Sequence, residues 1–253
     1  GDGMIVRWTL GSDEGEHIAQ MGASVYALRY HPLTGYLLAG HNFEGLHVLD
    51  WKSKKEVGSL KFTSSAIFDL ALVGGTVLAA TGDGTISVIN LSTLSVVHTL
   101  SGAGASARCM AVRPGGNEIA VGYSDNHIRV YGLNDISVVK QWVAHENSIF
   151  CLRYTPDGRR LLSGSRDARL KAWKADENYE MEQEVAAHLF AINDLCFSQD
   201  WKLFVTCSMD KSVKVWRTDD LTLLKVIDKA RHAGHGTSVN KLLWMHQGNQ
   251  VVS

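Results

Sequence analysis

The chain has 253 residues, with 25 Lys plus Arg against 26 Asp plus Glu, a net charge of −1 and 45% hydrophobic residues. This apolar content can supply a sizeable core, which excludes a disordered or fibrous chain. The balanced charge lacks the basic excess of proteins that neutralise phosphates, and no apolar run approaches 18 residues. We therefore expect a soluble globular protein that binds neither nucleic acid nor membrane.

The four cysteines do not form a metal-binding pattern, since none belongs to a CxxC pair and none has a histidine pair at zinc-finger spacing. We expect them to be reduced core residues, because a free Cys behaves as a small hydrophobe; they are Cys109, Cys151, Cys196 and Cys207. The chain begins at Gly1 without a Met and shows no signal peptide. We expect a cytoplasmic protein, and a first residue other than Met suggests an engineered or processed piece.

A turn followed by a short strand recurs along the chain. The first copy runs from Asp2 to Trp8, and a degenerate copy from Phe43 to Leu49 has lost the Asp. The later copies are GDGTISVI at 82–89, SDNHIRVY at 124–131, RDARLKAW at 166–173 and MDKSVKVW at 209–216. The turn positions 2, 43, 83, 125, 167 and 210 are separated by 41, 40, 42, 42 and 43 residues. A fixed period near 40 to 45 residues is typical of a propeller blade.

Three further strands recur in phase with each turn strand. A pair of strands precedes the turn, clearest at 149–154 and 161–163, where Thr155-Pro156-Asp157-Gly158 joins them. A fourth strand follows the turn strand, for example at 138–143. Equivalent strand pairs begin at Val25, Ile67, Ala107, Ile192 and Val239. With no helical periodicity, the pattern predicts an all-β chain of four-stranded antiparallel units.

These residues resemble the WD-repeat family of β-propellers, over essentially the whole chain. Two sets match the family's structural tetrad, namely His145, Ser163, Asp167 and Trp173 in one blade and His188, Thr206, Asp210 and Trp216 in the next. The resemblance implies a hydrogen-bonded chain that ties the loop before the first strand to the Asp turn and the third strand. The role it implies is structural, because a buried Asp, imidazole and indole N–H each need a partner. A Ser–His–Asp catalytic interpretation is therefore not favoured.

The repeat boundaries predict six blades in a single domain over residues 1–253. The chain begins with the third and fourth strands of one blade, continues with five complete blades and ends with the first two strands of another. The seam of the ring then falls between the second and third strands of the terminal blade. The alternative is a truncated or rearranged seven-bladed propeller. A monomer is favoured, and a dimer that exchanges its terminal half-blades would satisfy the same strand pairing.

The resemblance places one column of residues on the narrow face, at the start of each innermost strand: Tyr26, Phe68, Arg108, Phe150, Asn193 and Asn240. Arg166 directly precedes a turn Asp and should lie near them. Aromatic side chains and Arg are enriched at binding hot spots, so these seven residues are the candidate protein-binding site. The other interpretation is that some of the rings pack on neighbouring loops.

The next position of each blade should point towards the central channel, where Asp69, Asp194 and Lys241 are the charged residues. Asp194 and Lys241 fall in adjacent blades and are expected to form a hydrated structural ion pair. The functional alternative is that Asp69 and Asp194 grip a cationic side chain of a partner.

His232 and His235 suggest a metal site, but His235 stands three residues before Ser238, as His145 stands before Ser148. This spacing favours a tetrad histidine, so no metal and no cofactor are expected.

The resemblance implies a non-enzymatic scaffold that presents a rigid face to partner proteins or peptides. The alternative interpretations are an engineered or truncated propeller fragment with no native ligand, and an enzyme, for which no catalytic constellation stands out.

Overall fold

The computed structural model describes residues 2–100, 104–134, 137–232, 234–245 and 250–253. The regular secondary structure of the described residues is almost entirely β-strand, which confirms the predicted all-β class. It divides into two compact units, Gly1–Ala107 and Arg108–Ser253, which we call the first and second units. The organisation of residues 1–253 as a single domain stays a prediction.

The first unit contains two four-stranded sheets and one two-stranded sheet. The two-stranded sheet pairs β1 with β2, and the others are ordered β3-β4-β5-β6 and β7-β8-β9-β10. Their bounds are β1 Met4–Trp8, β2 Gly15–Gln20, β3 Val25–His31, β4 Tyr36–His41, β5 Gly45–Asp50, β6 Lys55–Leu60, β7 Ile67–Val73, β8 Thr76–Thr81, β9 Ile86–Asn90 and β10 Ser95–Leu100.

The second unit contains three four-stranded sheets, ordered β11-β12-β13-β14, β15-β16-β17-β18 and β19-β20-β21-β22, and a two-stranded sheet of β23 and β24. The bounds are β11 Ala107–Val112, β12 Glu118–Tyr123, β13 His127–Gly132, β14 Val138–Val143, β15 Ile149–Tyr154, β16 Arg160–Ser165, β17 Arg169–Lys174, β18 Glu180–Ala186, β19 Ile192–Phe197, β20 Leu203–Ser208, β21 Val213–Arg217, β22 Leu223–Ile227, α1 Lys229–His232, β23 Leu243–Met245 and β24 Gln250–Val252. The predicted four-strand repeat is therefore present in both units. The number of blades and the closure of a ring stay predictions.

Two details of the second unit differ from the sequence-based expectation. The strand predicted to begin at Val239 begins at Leu243. The reason is that two amides before it are engaged elsewhere: the Val239 N–H donates to the Ser208 carbonyl (3.1 Å) and the Leu242 N–H to the Asp194 carboxylate (3.2 Å). The single helical turn α1, which lacks any apolar periodicity, was also not anticipated.

The Asp residues of the repeat fix their own turns. In each case the carboxylate accepts the backbone N–H two positions further on, which stabilises the turn locally. The acceptor and donor residues are Asp2 and Met4 (3.1 Å), Asp83 and Thr85 (3.0 Å), Asp125 and His127 (3.2 Å), Asp167 and Arg169 (2.9 Å), and Asp210 and Ser212 (2.9 Å). This local bond explains why the sequence signal is strongest at these turns.

The core lies between neighbouring sheets of each unit. In the second unit, Leu162 and Leu170 of one sheet pack with Ile192, Leu195 and Phe204 of the next. Second strands such as β16 are buried along almost their whole length, whereas the outer strand β18 is largely exposed. A strand that is covered on both faces needs a continuous run of apolar or small residues. Charged side chains on an exposed outer strand disfavour its pairing with a strand of another chain.

Three of the four free cysteines are buried, as expected of core residues, and Cys196 is half-buried. Burial raises the pKa of the Cys151 thiol to about 12, so this group stays protonated. In the described ranges, no helix has both the length and the apolar character needed to cross a membrane.

Replacing Gly84 with Ala is expected to lower the free energy of unfolding by about 2 kcal/mol or more. A Cβ at Gly84 would stand 2.2 Å from the backbone oxygen of Ala105, which cannot rotate away as a side chain can. Gly84 has a φ of 87° and Gly74 a φ of 55°, so left-handed backbone is a strain that Ala would bear at either position. The matched control is Gly74→Ala, because a Cβ at Gly74 meets no atom within 4 Å. Equal urea midpoints for both variants would contradict the steric argument.

Candidate interaction face

A β-bulge marks the start of the first strand in four of the sheets. The ladder register shifts between Val25 and Ala27, between Ile67 and Asp69, between Ile149 and Cys151, and between Ile192 and Asp194. The residue left out of the ladder in each case is a member of the candidate site: Tyr26, Phe68, Phe150 or Asn193. A bulge re-aims the side chain of its extra residue, which gives these four residues a shared structural position.

In the first unit the bulge residues form an aromatic pair. The rings of Tyr26 and Phe68 have centroids 5.6 Å apart, and Tyr26 is 49% exposed. Phe68 is half-buried, and a Cβ at Gly82 would come within 3.4 Å of its ring. One ring is therefore presented to solvent while the other packs on the neighbouring turn.

In the second unit the guanidinium carbon of Arg108 lies 5.8 Å from the centroid of the Phe150 ring, within cation–π range. Both side chains are half-buried, whereas Arg166 is exposed. The Arg166 N–H donates to the Ser148 carbonyl (2.9 Å), which fixes its turn against the loop that leads into β15.

Asn193 and Asn240 bind to each other and to the chain between them. The Asn193 amide nitrogen donates to the Val239 carbonyl (2.8 Å), to the Asn240 side-chain oxygen (3.3 Å) and to the Ser238 hydroxyl oxygen (3.2 Å). The Asn193 side chain therefore holds the 238–240 segment, and Asn240 is exposed beside it.

The two candidate channel carboxylates each have an arginine partner from the preceding sheet of the same unit. Arg29 donates to Asp69 at 2.8 Å in the first unit, and Arg153 lies 3.4 Å from Asp194 in the second. Lys241, an exposed residue, lies 3.7 Å from Asp194, where the sequence predicted an ion pair. Because guanidinium groups already contact both carboxylates, the arrangement does not favour a grip on a partner's cation. The sequence signal for these arginines was their position, 40 or 41 residues before the Asp.

The first predicted tetrad forms a directional hydrogen-bonded chain. His145 Nδ1–H donates to Asp167 (3.0 Å). Because the neutral ring carries only this proton, His145 Nε2 accepts from the Ser163 hydroxyl (2.7 Å). The Trp173 indole N–H donates to the same hydroxyl oxygen (2.9 Å). Burial opposes the charge on Asp167, but the His145 contact and backbone N–H groups lower the pKa of this carboxyl to about 2.

The second tetrad has the same geometry. Asp210 accepts from His188 Nδ1 (2.9 Å), His188 Nε2 meets the Thr206 hydroxyl (2.8 Å), and the Trp216 N–H donates to that hydroxyl oxygen (2.8 Å). Burial lowers the pKa of His188 and outweighs the attraction of Asp210, which keeps the imidazole neutral. The Ser163 and Thr206 hydroxyls are completely buried and each also accepts an indole N–H, so neither is accessible to a substrate. Near the end of the chain, where the sequence predicts the seam of the ring, His235 Nε2 lies 2.7 Å from the Ser253 hydroxyl oxygen. This is the same kind of contact as that between His145 and Ser163.

The tetrad carboxylates also hold the loops that precede the next first strand. Asp210 accepts the backbone N–H of Leu189 (3.0 Å), the Ser208 hydroxyl donates to the Phe190 carbonyl (3.0 Å), and the Met209 N–H donates to the Ala191 carbonyl (3.0 Å). This small network fixes the loop 189–191 against the turn 208–210.

Three large apolar side chains project from that fixed pair of segments. Leu189 is 82% exposed, Phe190 61% and Met209 51%; we call these three residues the apolar cluster. Leu189 and Phe190 were missed as candidates. A signal was present, since they directly follow the tetrad His188, where the preceding repeat has Glu146 and Asn147 after its own His. The structure therefore adds an exposed apolar group next to the predicted site residues of the second unit.

For metal binding, the described residues offer one group in which three donor side chains converge: His41, Glu44 and His47, with one donor atom of each within 4.8 Å of the others. His232, the other histidine considered from the sequence, is exposed and belongs to α1.

Comparison with known families agrees with this geometry. The family model "WD domain, G-beta repeat" (WD40) matches residues 94–132, 136–174 and 180–217. The second match contains all four residues of the first tetrad, and the third match all four of the second. No curated protein matches the chain in a sequence search. WD40 repeats generally mediate protein–protein interaction and are typically non-enzymatic. The three matched segments, which make up just under half of the chain, are therefore WD40 repeats.

Proposed function

We propose that the chain is a non-enzymatic scaffold that binds a partner protein or peptide through the loops and turns of its repeats. The observation that supports this proposal is the apolar cluster, Leu189, Phe190 and Met209. Single exposed apolar residues are normal, but three large ones on adjoining segments are typical of an interaction surface.

The rigidity of the supporting segments favours binding over incidental exposure. Because Asp210 and Ser208 hold the loop 189–191 by hydrogen bonds, the cluster is ordered before a partner arrives. Preorganised side chains lose less entropy on binding, so more of their contact energy contributes to affinity.

The predicted site residues extend this surface. Arg166 occupies the position equivalent to Met209 in the preceding repeat, and Phe150 the position equivalent to Asn193. Tyr26 and Phe68 hold the equivalent bulge positions within the first unit and are a separate candidate pair. We infer a partner segment that offers apolar side chains to the cluster and an acidic or carbonyl group to Arg166.

The test is selection of binding peptides from a random library displayed on phage, followed by affinity measurement on the purified chain. A double variant, Leu189→Ser with Phe190→Ser, is expected to weaken the selected peptides at least about tenfold, as loss of hot-spot side chains does. The matched control is Leu224→Ser, which removes an exposed apolar residue from the outer strand β22.

Each outcome separates the candidate functions. Selective loss in the double variant supports the proposal, and equal affinity of both variants overturns it. A library that yields no binder to the wild-type chain would favour the alternative of a propeller fragment with no native ligand. Light scattering on the same material tests the predicted monomer, for which the expected mass is 27.7 kDa. Cytoplasmic location stays a prediction.

A further inference from the structure

Two histidines and a glutamate converge at the β4–β5 turn, in the repeat that has lost its turn Asp. His41 is the last residue of β4, Glu44 lies in the turn and His47 lies in β5. His41 Nδ1 is 3.8 Å from the Glu44 carboxylate, and the two imidazole rings meet edge-to-face with centroids 5.4 Å apart. This arrangement uses none of the residues of the proposed interaction site.

Both imidazoles carry a buried nitrogen with no hydrogen-bond partner in the described chain, namely His41 Nδ1 and His47 Nε2. His41 is 2% exposed and His47 is 8% exposed, so water outside the protein does not compensate for the missing partners. A buried polar atom left unsatisfied is destabilising, because it has lost its hydrogen bonds to water without gaining others. Two such atoms beside one carboxylate indicate that a bound species is needed to complete the site.

The orientation of His47 suits a metal ligand. Its Nδ1 lies 3.2 Å from the Glu56 carboxylate, which accepts the ring proton there and leaves Nε2 as an unprotonated lone pair. A metal-bound histidine usually donates its other N–H to a carboxylate or carbonyl in this way. Glu56 is therefore placed to orient His47 without touching the metal.

His41 needs one rearrangement before it can bind a metal. The Ala23 N–H donates to His41 Nε2 (3.0 Å), so in the neutral ring Nδ1 carries the proton. A metal that binds Nδ1 displaces that proton, and Nε2 must take one up. The total number of ring protons is unchanged, but the Ala23 N–H loses its acceptor. Metal binding through His41 is therefore coupled to movement of the Ala23 peptide.

We propose that His41, Glu44 and His47 bind a divalent metal ion of borderline softness such as Zn²⁺. Two imidazole nitrogens and a carboxylate oxygen form a donor set that such ions favour, and a water completes a tetrahedron. Zinc bonds of about 2.0 to 2.2 Å place two tetrahedral donors about 3.4 Å apart. The donor atoms, now within 4.8 Å of one another, close on the ion mainly through the exposed Glu44 side chain.

The first test is calorimetric titration of the metal-free full chain with Zn²⁺. We expect one ion per chain, with an affinity that falls as the pH is lowered because the histidine ligands must be unprotonated. His47→Gln and Glu44→Gln should each weaken binding at least about tenfold, and Glu56→Gln about tenfold to a hundredfold. The matched control is His98→Gln, which removes an exposed histidine of the first unit from outside the site.

A second readout follows the His41 rearrangement. The backbone amide resonance of Ala23 should shift on metal binding, because its hydrogen-bond acceptor is lost. Since His41 is buried and its replacement could unfold the sheet, this shift tests the third ligand in the wild-type chain. Zinc binding that is unchanged in His47→Gln and Glu44→Gln overturns the site. Binding with an unmoved Ala23 resonance overturns the role of His41. No saturable binding overturns the proposal, and a bridging water would then satisfy both nitrogens.

Discussion

Asp210→Ala is expected to lower the free energy of unfolding by about 3 kcal/mol, one of the two largest effects that the structure predicts. The carboxylate accepts from His188 Nδ1, from the Leu189 N–H and from both the N–H and the hydroxyl of Ser212. Its removal leaves the buried His188 N–H with only the Ser212 hydroxyl, 3.2 Å away, as an acceptor, and releases the loop that carries Leu189 and Phe190.

The measurement is urea unfolding at neutral pH, with Asp220→Ala as the control. Asp220 also caps a turn of the same sheet, through the Thr222 N–H (3.0 Å), but it is exposed and belongs to no tetrad. We expect a much smaller loss for the control. Equal losses for the two variants would show that the tetrad contributes no more than an ordinary Asp turn.

The pH dependence of stability gives an independent check on Asp210. Burial opposes the charge on this carboxylate, but hydrogen bonds from Ser212 and Leu189 outweigh it and lower the folded-state pKa from 3.8 to about 2. A depressed pKa contributes stability that is fully present above the unfolded value and is lost as the pH falls from about 4 to about 2. Asp210 is expected to account for about 2 kcal/mol of the stability that is lost on acidification. The Asp210→Ala variant should lack this part of the acid-induced loss.

Phe204→Ala is expected to lower the free energy of unfolding by about 3 to 5 kcal/mol, because it leaves a cavity in a closely packed core. Phe204 is completely buried, and its ring stacks on the Trp216 indole (centroids 6.2 Å apart, planes at 9°) and contacts Phe197. Since Trp216 donates to Thr206 in the tetrad, the cavity also removes support from that hydrogen bond.

Two comparisons distinguish packing from a general sensitivity of this sheet. Phe204→Leu fills most of the space and should cost much less than Phe204→Ala. Leu224→Ala, at an exposed position of β22, should change the urea midpoint little. If Phe204→Ala were as stable as Leu224→Ala, the stacked arrangement with Trp216 would not contribute to stability.

The fold class and the repeat were predictable because their causes are local. An Asp that caps its own turn, followed by alternating apolar positions, produces the same hairpin wherever it occurs, as at Asp83 and Asp125. The same logic predicted strand pairs upstream of each turn. It was wrong at Val239, where a tertiary hydrogen bond to Ser208 takes the place of ladder pairing.

The candidate interaction face was predictable only in part. The sequence placed Tyr26, Phe68, Phe150 and Asn193 at equivalent positions, and the structure adds that each is the extra residue of a β-bulge. The sequence did not reveal that Asn193 uses its amide to hold the 238–240 segment. A side-chain bond over more than 40 residues leaves no local pattern in the sequence.

Sequence by itself determined the all-β repeat, the Asp turns and the resemblance to the WD-repeat family, because turn chemistry and strand alternation act over a few neighbouring residues. Tertiary structure decided which side chains remain exposed on fixed loops, as Leu189 and Phe190 do. It also decided which charged groups meet, as Arg29 and Asp69 do, and which way the rings of His41 and His47 face. These outcomes depend on how separate strands and loops pack and on the direction of individual hydrogen bonds, and neither is encoded in a short stretch of sequence.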